Sequence, residues 1–267
     1  GIPLGTRWQS WNVFGLTMTL APFVLVFLEV FALFFILVIV MIILASQPGF
    51  ETAIQQFALQ IEGLDPQSKA AQNLIAPYLL EPGIIAISLL YLAMIVPMLE
   101  ELLKPLGVWF FARGLTSPAQ GFALGALSGA AYGLIETLGV SAQTTDWAAL
   151  LLTRIGTGAL HITSSAIMGA AIVYAIRERR YLRLLGMYAL SVSLHALWNT
   201  LAVFFAFATI SEYFELEHPL RTMTLPLNIG MAVFAAILCS ILIWANQRMK
   251  TTLPPAVVLE PLPVENQ

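Results

Sequence analysis

Charge is what this sequence has least of. Only 10% of its 267 residues are charged, where a soluble domain carries about 25%. Such a chain cannot cover a water-facing surface, but it can cover a lipid-facing one. Its net charge of −3 comes without a basic run of the kind that grips phosphates, which argues against a nucleic-acid partner. Cysteine is nearly missing: Cys239 is alone in an apolar stretch, has no disulfide partner and reads as packing. The inverted internal repeat that marks many transporters is not visible. Position 1 is Gly rather than Met, which leaves room for residues and a targeting signal upstream.

Apolar residues make up 59% of the chain. Crossing a bilayer takes roughly 20 of them in a helix that rises about 1.5 Å per residue. Six segments qualify: 19–45, 83–111 with Pro97 and Pro105 as kinks, 118–140, 147–176, 184–208 and 225–244. Positive charge sets their orientation. With the N-terminus in the cytoplasm, Arg7, Lys104, Arg113, Arg177, Arg179, Arg180, Arg183, Arg248 and Lys250 fall inside. Lys69 and Arg221 then fall outside, Arg154 lies within the fourth span, and Glu212, Glu215 and Glu217 sit in an outer loop. The expected fold is all-α, a polytopic membrane helix bundle of about six spans with both termini cytoplasmic. Residues 1–250 form its single domain. The outer loop 47–82 repeats Ile54, Phe57, Ala58, Ile61, then Leu74, Ile75 and Tyr78, at helical spacing. That amphipathic face suits the membrane surface, a cover for the bundle, or a packed loop. The tail 251–267 has prolines at 254, 255, 261 and 263 and is expected to be disordered.

Ionisable groups inside spans cost about 2.5–3.5 kcal/mol each on insertion scales and are functional hypotheses by default. This chain has Glu29, Glu100, Glu101, Lys104, Glu136, Arg154, His161 and His195. Structural ion pairing explains one or two of them and the whole set poorly. Four consecutive spans place an acid or an imidazole in one layer, as if around a shared polar cavity. Glu100, Glu101 and Lys104 are three and four apart, so the lysine can pair with either carboxylate and leave the other for chemistry. His195 and Asn199 share a helix face and can donate two hydrogen bonds to an oxyanion. Tyr132 and Glu136 are also four apart, which lets the tyrosine line the same cavity. Glu29 stands alone and reads as a lone carboxyl facing lipid or bundle rather than as a catalytic group. Arg154 reads as a partner for Glu136 or Asp146, and the glycines at 121, 125, 129, 133, 156, 158 and 169 as helix packing.

Glu-Glu-x-x-Lys at 100–104, aromatic-x-x-x-Glu at 132–136, a histidine at 161 and His-x-x-x-Asn at 195–199 occur in that order. The pattern resembles the PrsW family of membrane proteases, relatives of the type II CAAX prenyl proteases and the bacteriocin-immunity membrane proteases. The resemblance covers residues 83–200. It implies packed transmembrane helices around a polar cavity and cleavage of a membrane-anchored protein substrate of the anti-sigma-factor kind. It also implies that Glu100 and Glu101 match the family's glutamate pair and His195 its required histidine. Glu136 stands where the CAAX enzymes have histidine. Tyr132 replaces a commoner phenylalanine, and Thr137 an asparagine found in many relatives.

Peptide hydrolysis needs an activated water, a stabilised oxyanion and a proton for the leaving amine. The preferred reading makes Glu100 or Glu101 the base, aided by Glu136 or His161, with His195 and Asn199 on the oxyanion and Lys104 and Tyr132 in support. A zinc version would use Glu136, His161 and His195 as ligands and the glutamate pair as base. No His-Glu-x-x-His is present to choose between them, and the metal-free form is preferred. The rival from another class is a transporter in which the same groups relay protons or bind a cation. A third reading is a catalytically silent relative that holds a membrane partner. A prokaryotic plasma membrane is the expected location.

Overall fold

A computed structural model describes residues 2, 4–66, 68–141 and 147–251, without the side chains of 140–153. The expected tail 251–267 lies outside the described residues apart from Thr251, which ends the last helix. Six helices, taken with their continuations, are long and apolar enough to cross a membrane: Arg7–Ala45, Pro82–Gly114, Pro118–Gly139, Arg154–Glu178, Tyr181–Tyr213 and Thr224–Thr251. They match the six spans read from the sequence, and among the described residues there is no strand.

The sequence reading assigned no helix before residue 19, yet Arg7–Met18 forms α1. Its start is fixed by a capping box, in which the Thr6 hydroxyl accepts from Gln9 N–H and the Gln9 side chain accepts from Thr6 N–H. The chain turns at Thr19 into α2 (Leu20–Ala45). Most of α2 is exposed, as a lipid-facing helix should be. Its more covered positions, Ala21, Leu25, Leu28, Glu29, Ala32, Leu33 and Ile36, recur every three or four residues and mark the face turned to the bundle.

The outer loop folds as α3 (Phe50–Ile61) and α4 (Lys69–Leu79), with Phe57 set edge-on to Tyr78 at 5.2 Å. Helix α4 buries Ala71 and Ala76, whereas α3 buries nothing. The loop therefore covers the bundle with one helix and leaves the other exposed.

The second span is broken where its prolines demand it. It runs as α5 (Pro82–Ser88), a π-helical segment Leu89–Ile95, α6 (Val96–Leu103) and α7 (Leu106–Phe111). A proline inside an α-helix removes one N–H and clashes with the carbonyl four residues back. The wider π turn ahead of Pro97 relieves that clash, and Val96 N–H donates to the Tyr91 carbonyl, five residues back. At the other end Pro105 stops α6 immediately after Lys104. The acids and the lysine thus sit on a short helix with an irregular turn at each end.

Helices α8 (Pro118–Ser141), α9 (Trp147–Glu178), α10 (Tyr181–Tyr213) and α11 (Thr224–Thr251) complete the bundle, with α9 packed against the other three. Glycines let α8 and α9 approach closely. A methyl group added at Gly121, Gly125 or Gly129 would strike the carbonyl of Gly169, Ser165 or His161 respectively. Buried Val13, Val108, Leu115, Leu124 and Ile172 form one apolar cluster of the bundle, and Leu160, Trp198, Phe234 and Leu238 form another.

Candidate active site

Lys104 is the centre of the site. Its side chain is fully buried, an expensive place for an ammonium unless it is surrounded by acceptors. Its Nζ lies 2.7 Å from Glu100 Oε2, 2.9 Å from Glu101 Oε1 and 2.7 Å from His161 Nδ1, with His195 Nδ1 at 3.4 Å. The two acids reach it by the helical spacing read from the sequence. The lysine bridges both rather than choosing one. Irregular backbone supports this arrangement: Lys104 caps the end of α6, and its carbonyl accepts from the Ser128 hydroxyl of α8 at 2.5 Å. Thr17 Oγ1 of α1 sits 2.8 Å from that hydroxyl.

The lysine fixes the proton position on His161, and the shorter contact to Glu101 fixes that on His195. An ammonium only donates, so His161 Nδ1 accepts and its Nε2 carries the hydrogen. Nε2–H then donates to Glu136 Oε2 at 2.7 Å. His195 lies 2.8 Å through Nδ1 from Glu101 Oε1, so Nδ1–H donates to that carboxylate. Its Nε2 faces Glu100 Oε2 across 3.8 Å. Tyr132 closes one side, its ring centroid 5.0 Å from Lys104 Nζ and 5.3 Å from the His161 ring.

Glu136 is held a second time by Arg154 at 2.6 Å, the partner expected for it, while Asp146 lies outside the described residues. Thr137 accepts from Arg154 Nε at 3.0 Å. Access is graded across the three acids. The Glu136 side chain is 35% exposed, Glu100 10% and Glu101 0%.

Of the residues singled out in the sequence, Glu100, Glu101, Lys104, Tyr132, Glu136, His161 and His195 are brought together. Asn199 is engaged elsewhere: its amide donates to the Leu92 carbonyl in the π segment at 2.7 Å. The π turn frees that carbonyl from regular helix bonding, so α10 and the second span are tied one helical turn from His195. Glu29, expected from the sequence to face lipid or bundle, faces the bundle. It lies on the bundle-facing stripe of α2, which packs against α6, the helix that carries Glu100 and Glu101. The only signal for it in the sequence was its mid-span depth, because no residue three or four away pairs with it.

Three carboxylate oxygens, Glu29 Oε1, Glu100 Oε2 and Glu101 Oε2, are buried without an aligned hydrogen-bond donor from the protein. Glu100 Oε2 is near Lys104 Nζ but not in hydrogen-bond alignment. A buried acceptor without a donor suits a water or a substrate N–H as partner.

The donor set does not fit a resident metal ion. Among the described residues no three His, Cys, Asp or Glu side chains converge as ligands. The Lys104 ammonium holds the point that Glu100, Glu101 and His161 share, and a divalent cation there would meet its charge at bonding distance.

Six helices long and apolar enough to cross a membrane, enclosing acids, imidazoles and a buried lysine, define a polytopic membrane protein with a cluster of ionisable groups inside its bundle. The chain belongs to the PrsW family: the family model described as PrsW family intramembrane metalloprotease matches residues 7–237. It is therefore a multi-pass membrane protease, and its substrate is a protein. The match runs well beyond residues 83–200, where the motifs lie, and takes in α2 with Glu29. Comparisons with curated proteins and with solved structures found no match.

Proposed function

We propose that this protein is an endopeptidase of a prokaryotic plasma membrane, with both termini cytoplasmic, that cuts a membrane-anchored protein in or beside its span. In this reading the chemistry is carried by glutamate and histidine and needs no metal. The observation behind it is Lys104 at the centre of the cluster, where the lysine supplies the positive charge that a metal supplies elsewhere.

Glu100 is the base. Glu101 is sealed from access and already accepts from His195 and Lys104. Glu100 is the more accessible of the pair, and its Oε2 is held 2.7 Å from Lys104 Nζ. A water across the 3.8 Å gap between Glu100 Oε2 and His195 Nε2 can donate one hydrogen to each and aim a lone pair at a substrate carbonyl. This use of His195 differs from the sequence reading, which gave it to the oxyanion. Its Nδ1–H bond to Glu101 leaves a lone pair on Nε2, and a lone pair suits water better than an oxyanion. Asn199 keeps the oxyanion role. One amide hydrogen is anchored on Leu92, which orients the group, and the second is free to donate. Glu136 and His161 buttress Lys104 and hold the pair in place.

The test compares protein N-termini in membranes from cells that make the wild-type chain or Glu100→Gln at equal levels. A terminus in or beside another protein's span, present only with wild type, is the expected result. No difference across a range of growth stresses would overturn the reading. Loss of wild-type termini with a membrane-permeant chelator, restored by zinc, would overturn the metal-free part alone.

A further inference from the structure

Glu29 is the acid of this cluster that the mechanism above leaves unused. Glu100 and Glu101 share Lys104, and Glu136 has Arg154 and His161. Among the described residues Glu29 has no cation of its own, and its Oε1 is buried without a partner. Its position is held from two sides. The Tyr91 hydroxyl donates to the Glu29 carbonyl at 3.2 Å and ties this turn of α2 to the π segment, while α2 also packs against α6, which bears the glutamate pair. A carboxyl that gains no bond from its surroundings adds nothing visible to the fold.

We propose that Glu29 is the catalytic proton donor to the leaving amine, an inference that rests on the protease reading above. The reaction needs a base for the water and an acid for the nitrogen, and a second carboxyl that starts protonated lets a different group serve each step. Glu100 serves the water, Glu101 is locked between Lys104 and His195, and Glu136 is locked between Arg154 and His161. Glu29 remains, carried on α2, which packs against α6. Water oxygen bonds to the carbonyl carbon as its proton passes to Glu100. The C–N bond then breaks as the proton of Glu29 passes to nitrogen. Transfer of a proton from Glu100 to Glu29 restores both groups, so the sum is one water consumed per bond cut. Because α2 also borders the membrane, the substrate span would meet the acid as it enters from that side.

The experiment uses the full chain in lipid nanodiscs and two synthetic single-span peptides. One carries the bond mapped in cells, and the other has an ester in place of that amide. An ester leaving group depends less on being protonated than an amine does. Glu29→Gln should lower amide cleavage on the order of 10²-fold or more, with a clearly smaller loss on the ester. Equal losses on both peptides, or unchanged amide cleavage, would overturn the assignment of Glu29 alone. Failure of the wild type to cut either peptide would overturn the protease reading and this inference together. A second variant separates function from fold: Glu29→Leu should unfold at the same temperature as wild type or higher while losing amide cleavage. A clear drop in its unfolding temperature would make Glu29 structural and end the proposal.

Discussion

Lys104 Nζ and His161 Nδ1 are 2.7 Å apart, both residues buried, and this contact organises the rest. A lysine that donates to Nδ1 sends the His161 proton to Nε2, and so to Glu136. It also places its charge between Glu100 and Glu101, so the orientation of three acids follows from one ammonium.

Lys104→Met should therefore do two things. With the cation gone, the buried carboxylates lose their counter-charge, and the chain should lose about 3–5 kcal/mol of stability, as buried pairs do when one partner is removed. The vacated centre also turns Glu100, Glu101, His161 and His195 into free donors of the kind that bind zinc. Thermal unfolding in nanodiscs should show the variant, but not the wild type, stabilised by added zinc. Zinc stabilising the wild type equally would mean that the lysine does not hold that centre.

The two adjacent glutamates should fail differently. Glu100→Gln removes the base and leaves Lys104 paired with Glu101, so turnover should fall about 10²–10⁴-fold with a small change in unfolding temperature. Glu101→Gln removes the acceptor shared by Lys104 and His195, so its unfolding temperature should fall well below that of the Glu100 variant. Turnover of the mapped peptide and thermal unfolding, measured on both variants, check this. Equal profiles would mean that the division of labour between the pair is wrong.

Much of this was legible in the sequence because membrane proteins expose their constraints plainly. Apolar length gave the six spans, and helical spacing gave the Glu100–Glu101–Lys104 contacts and the company of Tyr132 and Glu136. The parts that escaped depend on the third dimension. Spacing along α6 shows that Lys104 can reach an acid, but not that His161 of α9 will meet the same nitrogen. The rotation of α2 about its axis decides whether Glu29 faces lipid or the site, and an almost uniformly apolar helix carries little record of its rotation. The π segment follows from Pro97, but its use as an anchor for Asn199 needed α10 to be in place.

Asn199 is the residue on which stability and catalysis can be separated. Asn199→Ala removes the bond to Leu92, a loss of about 0.5–1.5 kcal/mol. If the second amide hydrogen holds the oxyanion, turnover should fall about 10²–10³-fold, far more than that structural loss would suggest. Turnover within a few-fold of wild type, beside a lowered unfolding temperature, would leave Asn199 as a tie between α10 and the second span and nothing more.

Gly129 links helix packing to the site. A methyl group there would strike the His161 carbonyl, and since both partners are helix backbone neither can move aside alone. Gly129→Ala should push α9 from α8, at a cost of about 1–3 kcal/mol for overpacking. It should also draw His161 away from Lys104 and Glu136, which its ring joins from opposite sides. Gly158→Ala is the matched control, on α9 less than one turn before His161, because a methyl group there meets nothing within 4 Å. The expected result is lost turnover and lowered unfolding temperature in the first variant and near wild-type behaviour in the second. Similar behaviour in both would mean that the site does not depend on the close approach of these two helices.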